Sequence, residues 1–373
     1  MSNDTSELSY RDDSMKILMK HGVKDITRVV FDNPVWGTGW GDPIPDMPLD
    51  VQIELTNVCN LRCESCPYTH SKRKKENLEW DILKKIVDEA VEESVAYFTI
   101  CGIGEATLHP DLFRPFEYIR SKKVTPKGLR TLDMMPTVFI SNGSWTDDIV
   151  EKCIENPPDL ISFSLAGLTD EEIATRRTPL DLDRFIHNVS EIYNNRKLIR
   201  DIDGGVSPVI HISTHIFPYE IETRAEDIER FKEKFFKMSD AVVIKPTMLY
   251  YRFTPYEKNL DYYENISEDQ YCRTVPCFET SRRLSVTCSG DVWCGHQLPE
   301  DFGSKFGNVK EQSLREIWHG DKLNDFRLDV RAGIFKRANC QACGGELRES
   351  YRNLNQREDE IRFSTYEMEL VNP

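Results

Sequence analysis

Three cysteines, Cys59, Cys63 and Cys66, stand in the run Cys-Asn-Leu-Arg-Cys-Glu-Ser-Cys. Their Cys-x3-Cys-x2-Cys spacing offers three thiolates within one loop, one short of the four that close an iron–sulfur cube. A structural zinc site usually joins Cys-x2-Cys to a second such pair or to histidines, and it closes at four ligands. A cube held by three cysteines instead leaves one iron open to a small molecule. The loop comes directly after the apolar run 51–55, so a strand end would present it. Three unrelated loop cysteines are the bland alternative, disfavoured by the spacing and by the motifs downstream of the loop.

The elements that must position this loop repeat. Six β-rich runs occupy 51–55, 96–101, 137–141, 160–165, 209–217 and 241–248. Helical patterns fall between them, at 78–93, 112–122, 147–155, 182–196 and 225–237. The clearest is the first, where Leu83, Ile86, Val87, Ala90 and Val91 recur at helical spacing. Strands alternating with helices predict an α/β fold, a parallel sheet with right-handed crossovers. Six such units make a partial (β/α)6 barrel rather than the closed barrel of eight. Chemistry in such barrels gathers at the C-terminal strand ends. There the chain places the cysteine loop, Cys101-Gly-Ile-Gly-Glu-Ala106, Ser141-Asn-Gly143 and Ser162-Phe-Ser-Leu-Ala-Gly167, with His215 and Lys245 near the ends of the fifth and sixth runs.

Composition bounds the rest. The chain has 373 residues, 39% hydrophobic and 30% charged, with a net charge of −15 that gives no electrostatic case for nucleic acid or an anionic membrane. No apolar run approaches the roughly twenty residues of a membrane span, and residues 1–13 lack the apolar core of a secretory signal. Eleven cysteines without export signals suggest metal ligation in a reducing cytoplasm rather than disulfides. A tyrosine-rich stretch, 249–276, reads as a connector into a smaller C-terminal unit. The charged tail after Gly345 is expected to form a helix or a loosely held strap. The expected division is an N-terminal extension at 1–48, a barrel at 49–255, and a small domain plus tail at 256–373.

The cysteine loop, the Gly-Ile-Gly-Glu turn and the barrel pattern together resemble the radical S-adenosylmethionine (SAM) superfamily. The resemblance implies a [4Fe–4S] cluster on Cys59, Cys63 and Cys66 whose open iron binds SAM and splits it to a 5′-deoxyadenosyl radical. It implies that Gly102 and Gly104 let the backbone approach the methionyl group, with Glu105 accepting from its ammonium. Asn142 and Ser164 match positions that hold the ribose and the methionyl carboxylate, and either Arg176 or Arg177 would pair that carboxylate. Ala106 stands where the family usually has proline, and Ser65 where an aromatic is common, with Tyr68 two positions after the third cysteine.

The last third holds Cys272, Cys277, Cys288, Cys294, Cys340 and Cys343, with Ser289-Gly-Asp-Val-Trp-Cys294 and Phe306-Gly-Asn-Val between them. This set resembles the auxiliary-cluster domains called SPASM and its shorter form, twitch. The resemblance implies one auxiliary [4Fe–4S] cluster on Cys277, Cys294, Cys340 and Cys343; on cysteines alone, a structural zinc site fits nearly as well. Cys272 and Cys288 are left over, as hydrogen donors or as small buried residues.

The layout is similar to that of the butirosin-pathway dehydrogenase and of sulfatase-maturating enzymes. It implies two-electron oxidation of a hydroxyl-bearing carbon, with His215 or Lys245 as base and a reductase such as flavodoxin or ferredoxin as electron source. About fifty residues precede the first strand, short for a leader-peptide domain, which favours a sugar or aminocyclitol over a peptide. Epimerisation with Cys288 or Cys272 as donor, peptide modification, and a non-enzymatic metal scaffold are the alternatives.

Overall fold

The computed structural model describes residues 44–63, 66–123, 135–196, 208–216, 223–246, 283–293, 305–331 and 367–370. All six expected strands form: β1 (Asp50–Ile53), β2 (Tyr97–Ile100), β3 (Thr137–Ser141), β4 (Leu160–Ser164), β5 (Val209–Ile216) and β6 (Ala241–Pro246). They pair in parallel and lie side by side in chain order. Unbroken order is the progression of a barrel; a doubly wound sheet would reverse at a switch point. The crossovers carry α1 (Trp80–Glu92), α2 (Phe113–Arg120), α3 (Asp147–Glu155), α4 (Asp170–Arg176), α5 (Leu182–Asn195) and α6 (Ala225–Phe235). The fold is a partial (β/α)6 barrel, as the alternation predicts.

The longer helices are each held by one apolar stripe. In α1, Leu83, Ile86, Val87 and Ala90 are buried; each large aliphatic removed from water contributes roughly 1.5–3 kcal/mol before entropy is counted. The strands supply the opposing surface with Val51, Ile53, Phe98, Ile100, Phe139, Ile161 and Phe163. Aromatic contacts run from Phe116 to Phe139, Trp145, Phe163, Phe185 and Phe235, knitting three helices to β3 and β4.

Alternate strand residues face the barrel interior. At the starts of β2 to β5 they are apolar, with Tyr97, Val138, Leu160 and Val209 forming a plug together with Leu49. Toward the C-terminal ends they turn polar and stay buried, as at Gln52, Thr99, Ser162 and His211. That gradient aims the interior chemistry at one end.

On the flank of β1 opposite β2, the C-terminal third adds β7 (Arg283–Val286) in parallel. The antiparallel strands β8 (Asp291–Trp293) and β9 (Gly307–Asn308) then extend the same sheet. Two helices come next, α7 (Leu314–Trp318) and α8 (Asp321–Arg331). The first docks on α1: Leu314 N donates to Glu89 at 2.8 Å, and Arg315 forks onto Glu93, just past the end of α1, and Asp46. The tail departs from expectation. Residues Glu367–Leu370 form β10, antiparallel on β6, which covers an edge that would otherwise present unpaired backbone groups.

Candidate active site

The cysteine loop leaves β1 at its C-terminal end and is pinned from several directions. Thr56 pairs with Asn77, and Asn57 Nδ2 donates to the Lys74 carbonyl at 2.7 Å. Arg62 N donates to the Thr178 carbonyl at 2.6 Å, tying the loop to the end of α4. Backbone amides two residues on donate to sulfur, Leu61 N to Cys59 Sγ and Tyr68 N to Cys66 Sγ, each at 3.5 Å. Burial pushes the Cys59 thiol up to about 11 and the Cys66 thiol to about 12, the neighbouring thiols add to this, and Arg177 opposes it. A coordinated metal reverses that balance by holding the thiolate directly.

The three thiols therefore share one electrostatic environment, and none of the six described cysteines is in a disulfide. Among the described residues no three metal-binding side chains converge on the point a single ion would take. A cube is gripped at separate irons, so its ligands stand apart.

The glycine turn after β2 lies against this loop. A Cβ on Gly104 would stand 2.2 Å from the Thr56 carbonyl oxygen and 2.7 Å from that of Val58. Only glycine permits this approach. The next residue fastens it, Glu105 N donating to the Val58 carbonyl at 2.7 Å. Gly102 is equally confined, its Cβ position 2.3 Å from Cγ of Glu54.

Glu105, expected to accept from an ammonium, is held by donors of its own chain. Its carboxylate is 3% exposed. Ser141 Oγ donates to it at 2.7 Å, Asn142 N at 2.8 Å and Thr107 Oγ1 at 2.9 Å. Burial pushes its carboxyl upward while these donors oppose the shift. As placed, Glu105 is a strut joining the ends of β2 and β3. Asn142, so positioned, donates to Asn60 Oδ1 at 2.9 Å within the cysteine loop, and its Nδ2 lies 4.0 Å from Cys59 Sγ.

The two candidate arginines separate. Arg176 pairs with Glu172 at 3.0 Å, while Arg177 donates to Ser164 Oγ at 2.7 Å and exerts its charge on Cys59 and Cys66. Arg177 Nε is buried and has no hydrogen-bond partner among the described residues. A partly unused guanidinium whose charge reaches Cys59 and Cys66 suits an incoming carboxylate. With the Gly104 cradle, it makes the described residues a fit for a cluster-bound amino acid.

Helix α4 sets Arg177 by ending just before it. Its start is fixed by a capping box, Thr169 and Glu172 satisfying each other's backbone amides. Glu172 also receives Arg224 at 2.7 and 2.9 Å. Burial alone would raise the Glu172 carboxyl; Arg224, the Leu168 amide, Arg176 and the Thr169 amide together outweigh it and hold the group at about 2. A depressed carboxylate stabilises the fold above its unfolded value of 4.5, and that contribution is lost as pH falls from 4.5 toward 2. The protection factors of the α4 amides, corrected for the pH dependence of intrinsic exchange, are accordingly expected to fall over that window in the wild type. Glu172→Gln should flatten the dependence; an unchanged profile would remove Glu172 from this role.

Sequence reasoning missed Glu54 and Arg73. Glu54, 4% exposed, takes both guanidinium nitrogens of Arg73, at 3.1 and 2.7 Å. It also accepts from the amides of Ile103 and Cys288, each at 3.1 Å. One carboxylate thus joins β1, the glycine turn, the strap behind the cysteine loop and the β7–β8 turn. Nothing local marks these as partners. Cys288, considered as a hydrogen donor, is 2% exposed, packs in the core and lies 3.3 Å from Arg73. Its thiol is pushed up by burial first and then by Glu54, so it sits as a small buried residue of the seam. Tyr68 is likewise enclosed, with Lys75 over its ring at 3.9 Å and its hydroxyl donating to the Cys59 carbonyl.

His215 and Lys245 are register partners on β5 and β6. Cys272, Cys277, Cys294, Cys340 and Cys343, like the 249–276 connector, lie outside the described residues.

With that geometry in view, comparison with known proteins is decisive about family. Residues 53–231 match the model of the Radical SAM superfamily, and residues 277–344 match SPASM, an iron–sulfur cluster-binding domain. The tungsten-containing aldehyde ferredoxin oxidoreductase cofactor-modifying protein of Pyrococcus furiosus is 32% identical over 331 residues, 78% of this chain and 86% of the relative. Mycofactocin maturase MftC of Mycobacterium tuberculosis is 28% identical over 165 residues, 38% of this chain and 41% of that protein. The crystal structure of Streptococcus suis SuiB bound to precursor peptide SuiA superposes with a TM-score of 0.55 at 16% identity, covering 98% of this chain and 80% of that one. The chain belongs to the radical SAM superfamily, in its SPASM-bearing subgroup. Membership brings [4Fe–4S] clusters and SAM as cofactors. Among the described residues no helix is long and apolar enough to cross a membrane.

Proposed function

We propose that the chain oxidises a hydroxyl-bearing carbon of a small molecule, a sugar or aminocyclitol, by radical chemistry. The observation that carries the radical step of this reading is the Arg177–Ser164 pair set beside Cys59 and Cys66. Cys59, Cys63 and Cys66 hold the barrel cluster, Arg177 and Ser164 take the methionyl carboxylate, and the Gly102–Gly104 backbone lies along the methionyl group. Asn142 serves the ribose. When bound, the cluster and SAM supply a 5′-deoxyadenosyl radical that takes a hydrogen atom from a C–H bond, leaving one electron for an auxiliary cluster and one hydroxyl proton for a base. His215 and Lys245, register partners on β5 and β6, are the proposed bases. Cys277, Cys294, Cys340 and Cys343 ligate the auxiliary cluster, and a flavodoxin or ferredoxin provides the first electron.

A second reading has one specific support. The Pyrococcus furiosus relative is named for modifying a cofactor and MftC for maturing mycofactocin, which favours a cofactor or peptide precursor as substrate with the same radical step.

The test tracks isotope and mass. Deuterium on the oxidised carbon should appear in 5′-deoxyadenosine, with a product lighter by two hydrogens. Replacing Cys340 and Cys343 together should spare SAM binding and abolish that product. An isomer of unchanged mass carrying solvent deuterium would establish epimerisation instead.

A further inference from the structure

Around and just after the three cysteines the chain is basic. Residues 57–75 hold five arginines and lysines against one acid, in a chain whose net charge is −15. Arg62, Lys72, Lys74 and Lys75 are exposed, while Arg73 turns inward onto Glu54. A run of charge is most often only a solvated face, but this one is fastened to the cysteine loop. Asn57 Nδ2 donates to the Lys74 carbonyl at 2.7 Å, and Asn57 Oδ1 accepts from Glu76 N at 2.9 Å. Lys75 Nζ donates back to the Asn57 carbonyl at 3.1 Å and lies over the Tyr68 ring. The Tyr68 hydroxyl and Arg62 both donate to the Cys59 carbonyl, at 3.2 and 3.0 Å. The exposed cations are thus held within a few contacts of a cluster ligand. Elsewhere lysines pair with carboxylates, as Lys85 does with Glu89, Lys152 with Asp148, Lys234 with Asp170 and Lys310 with Glu79.

We infer that the strap carrying Lys72, Lys74 and Lys75, with Arg62 beside it, is the docking surface for the protein that delivers the first electron, a small carrier with an acidic surface. Electron tunnelling falls steeply with distance, so a carrier has to seat close to the cluster that Cys59, Cys63 and Cys66 hold. An acidic carrier is repelled by this chain as a whole. A fixed positive strap beside the cluster loop gives it one place where attraction wins, which steers the encounter and sets where the carrier lands. The step is a single electron: the reduced carrier loses it, the barrel cluster gains it, and no bond or proton moves. The inference rests on the radical reading above and specifies the route by which its electron arrives.

The test uses the full chain with its clusters loaded and follows 5′-deoxyadenosine formed from SAM with either of two reductants, dithionite or a photoreduced flavodoxin of acidic surface. Lys72→Glu and Lys74→Glu together should raise the KM for flavodoxin about tenfold, the low end of what electrostatic steering adds to association. The dithionite-driven rate, which needs no docking, should stay at the wild-type value and so reports that the variant is folded and loaded. Lys72→Arg with Lys74→Arg keeps the charge and should keep the wild-type KM. At subsaturating flavodoxin the wild-type rate should fall as salt rises from about 50 to about 300 mM, because screening shortens the reach of exposed charges, and the charge-reversed variant should lose most of that dependence. An unchanged KM for flavodoxin in the charge-reversed variant overturns the docking surface. Equal losses with both reductants also overturn it, since they would assign the cations to SAM or to the fold, as does a wild type that dithionite drives and flavodoxin does not. A wild-type chain that forms no 5′-deoxyadenosine with dithionite overturns the radical reading itself.

Discussion

Gly104→Ala is expected to abolish SAM binding. The added methyl carbon would stand 2.2 Å from the Thr56 carbonyl oxygen and 2.7 Å from that of Val58, and both obstacles are backbone. Neither can swing aside as a side chain would. The turn must move away from the cysteine loop, breaking the 2.7 Å bond from Glu105 N to the Val58 carbonyl. Glu105 is in turn the strut for Ser141 and Asn142, so the displacement reaches β3. A shift of about 1 Å in a positioning element costs on the order of a hundredfold in rate, and here binding and positioning fail together. Equilibrium dialysis with labelled SAM measures it. An affinity within about threefold of the wild type would show that the turn does not face SAM.

Arg177→Ala is expected to weaken SAM binding by about 10- to 100-fold, because a hydrogen bond to a charged group contributes roughly 1.5–3 kcal/mol. Arg177→Lys should recover only part, since a single ammonium cannot donate to Ser164 and the carboxylate with the same planar fork. Arg176→Ala serves as the contrast. That side chain pairs with Glu172, so its loss should touch α4 stability more than SAM affinity. Equal losses from both alanine variants would dissolve the distinction between the arginines.

The neighbouring arginines also show where reading a sequence stops. Successive helical residues point about 100° apart, so which of two faces the site depends on the exact phase with which α4 ends. The chain announces that α4 exists, through Thr169 and Glu172 three positions on, but not its phase against β4. The six barrel strands were legible because each is a short apolar run bounded by a helix, and the cysteine loop because its spacing is chemical. Strands β8 and β9 have three residues or fewer, too few for a pattern to stand out, and β7 turns directly into β8 with no helix to mark its end. The pairing of β1 with β7 joins residues more than two hundred positions apart. Glu54, Arg73 and Cys288 take their meaning from that pairing, which has no local signal. Glu105 was found by its motif, yet its partners Ser141 and Asn142 arise from the β2–β3 register, and they turn its carboxylate inward.

The most direct test of the central claim is iron and acid-labile sulfide on anaerobically prepared chain, followed by SAM cleavage under dithionite, in the wild type and in a Cys59→Ala, Cys63→Ala, Cys66→Ala variant. Two four-iron clusters predict about eight irons per chain and formation of 5′-deoxyadenosine, with about four irons and none of that product in the variant. Zinc in place of the remaining iron would contradict the auxiliary cluster, and 5′-deoxyadenosine from the triple variant would contradict the site itself.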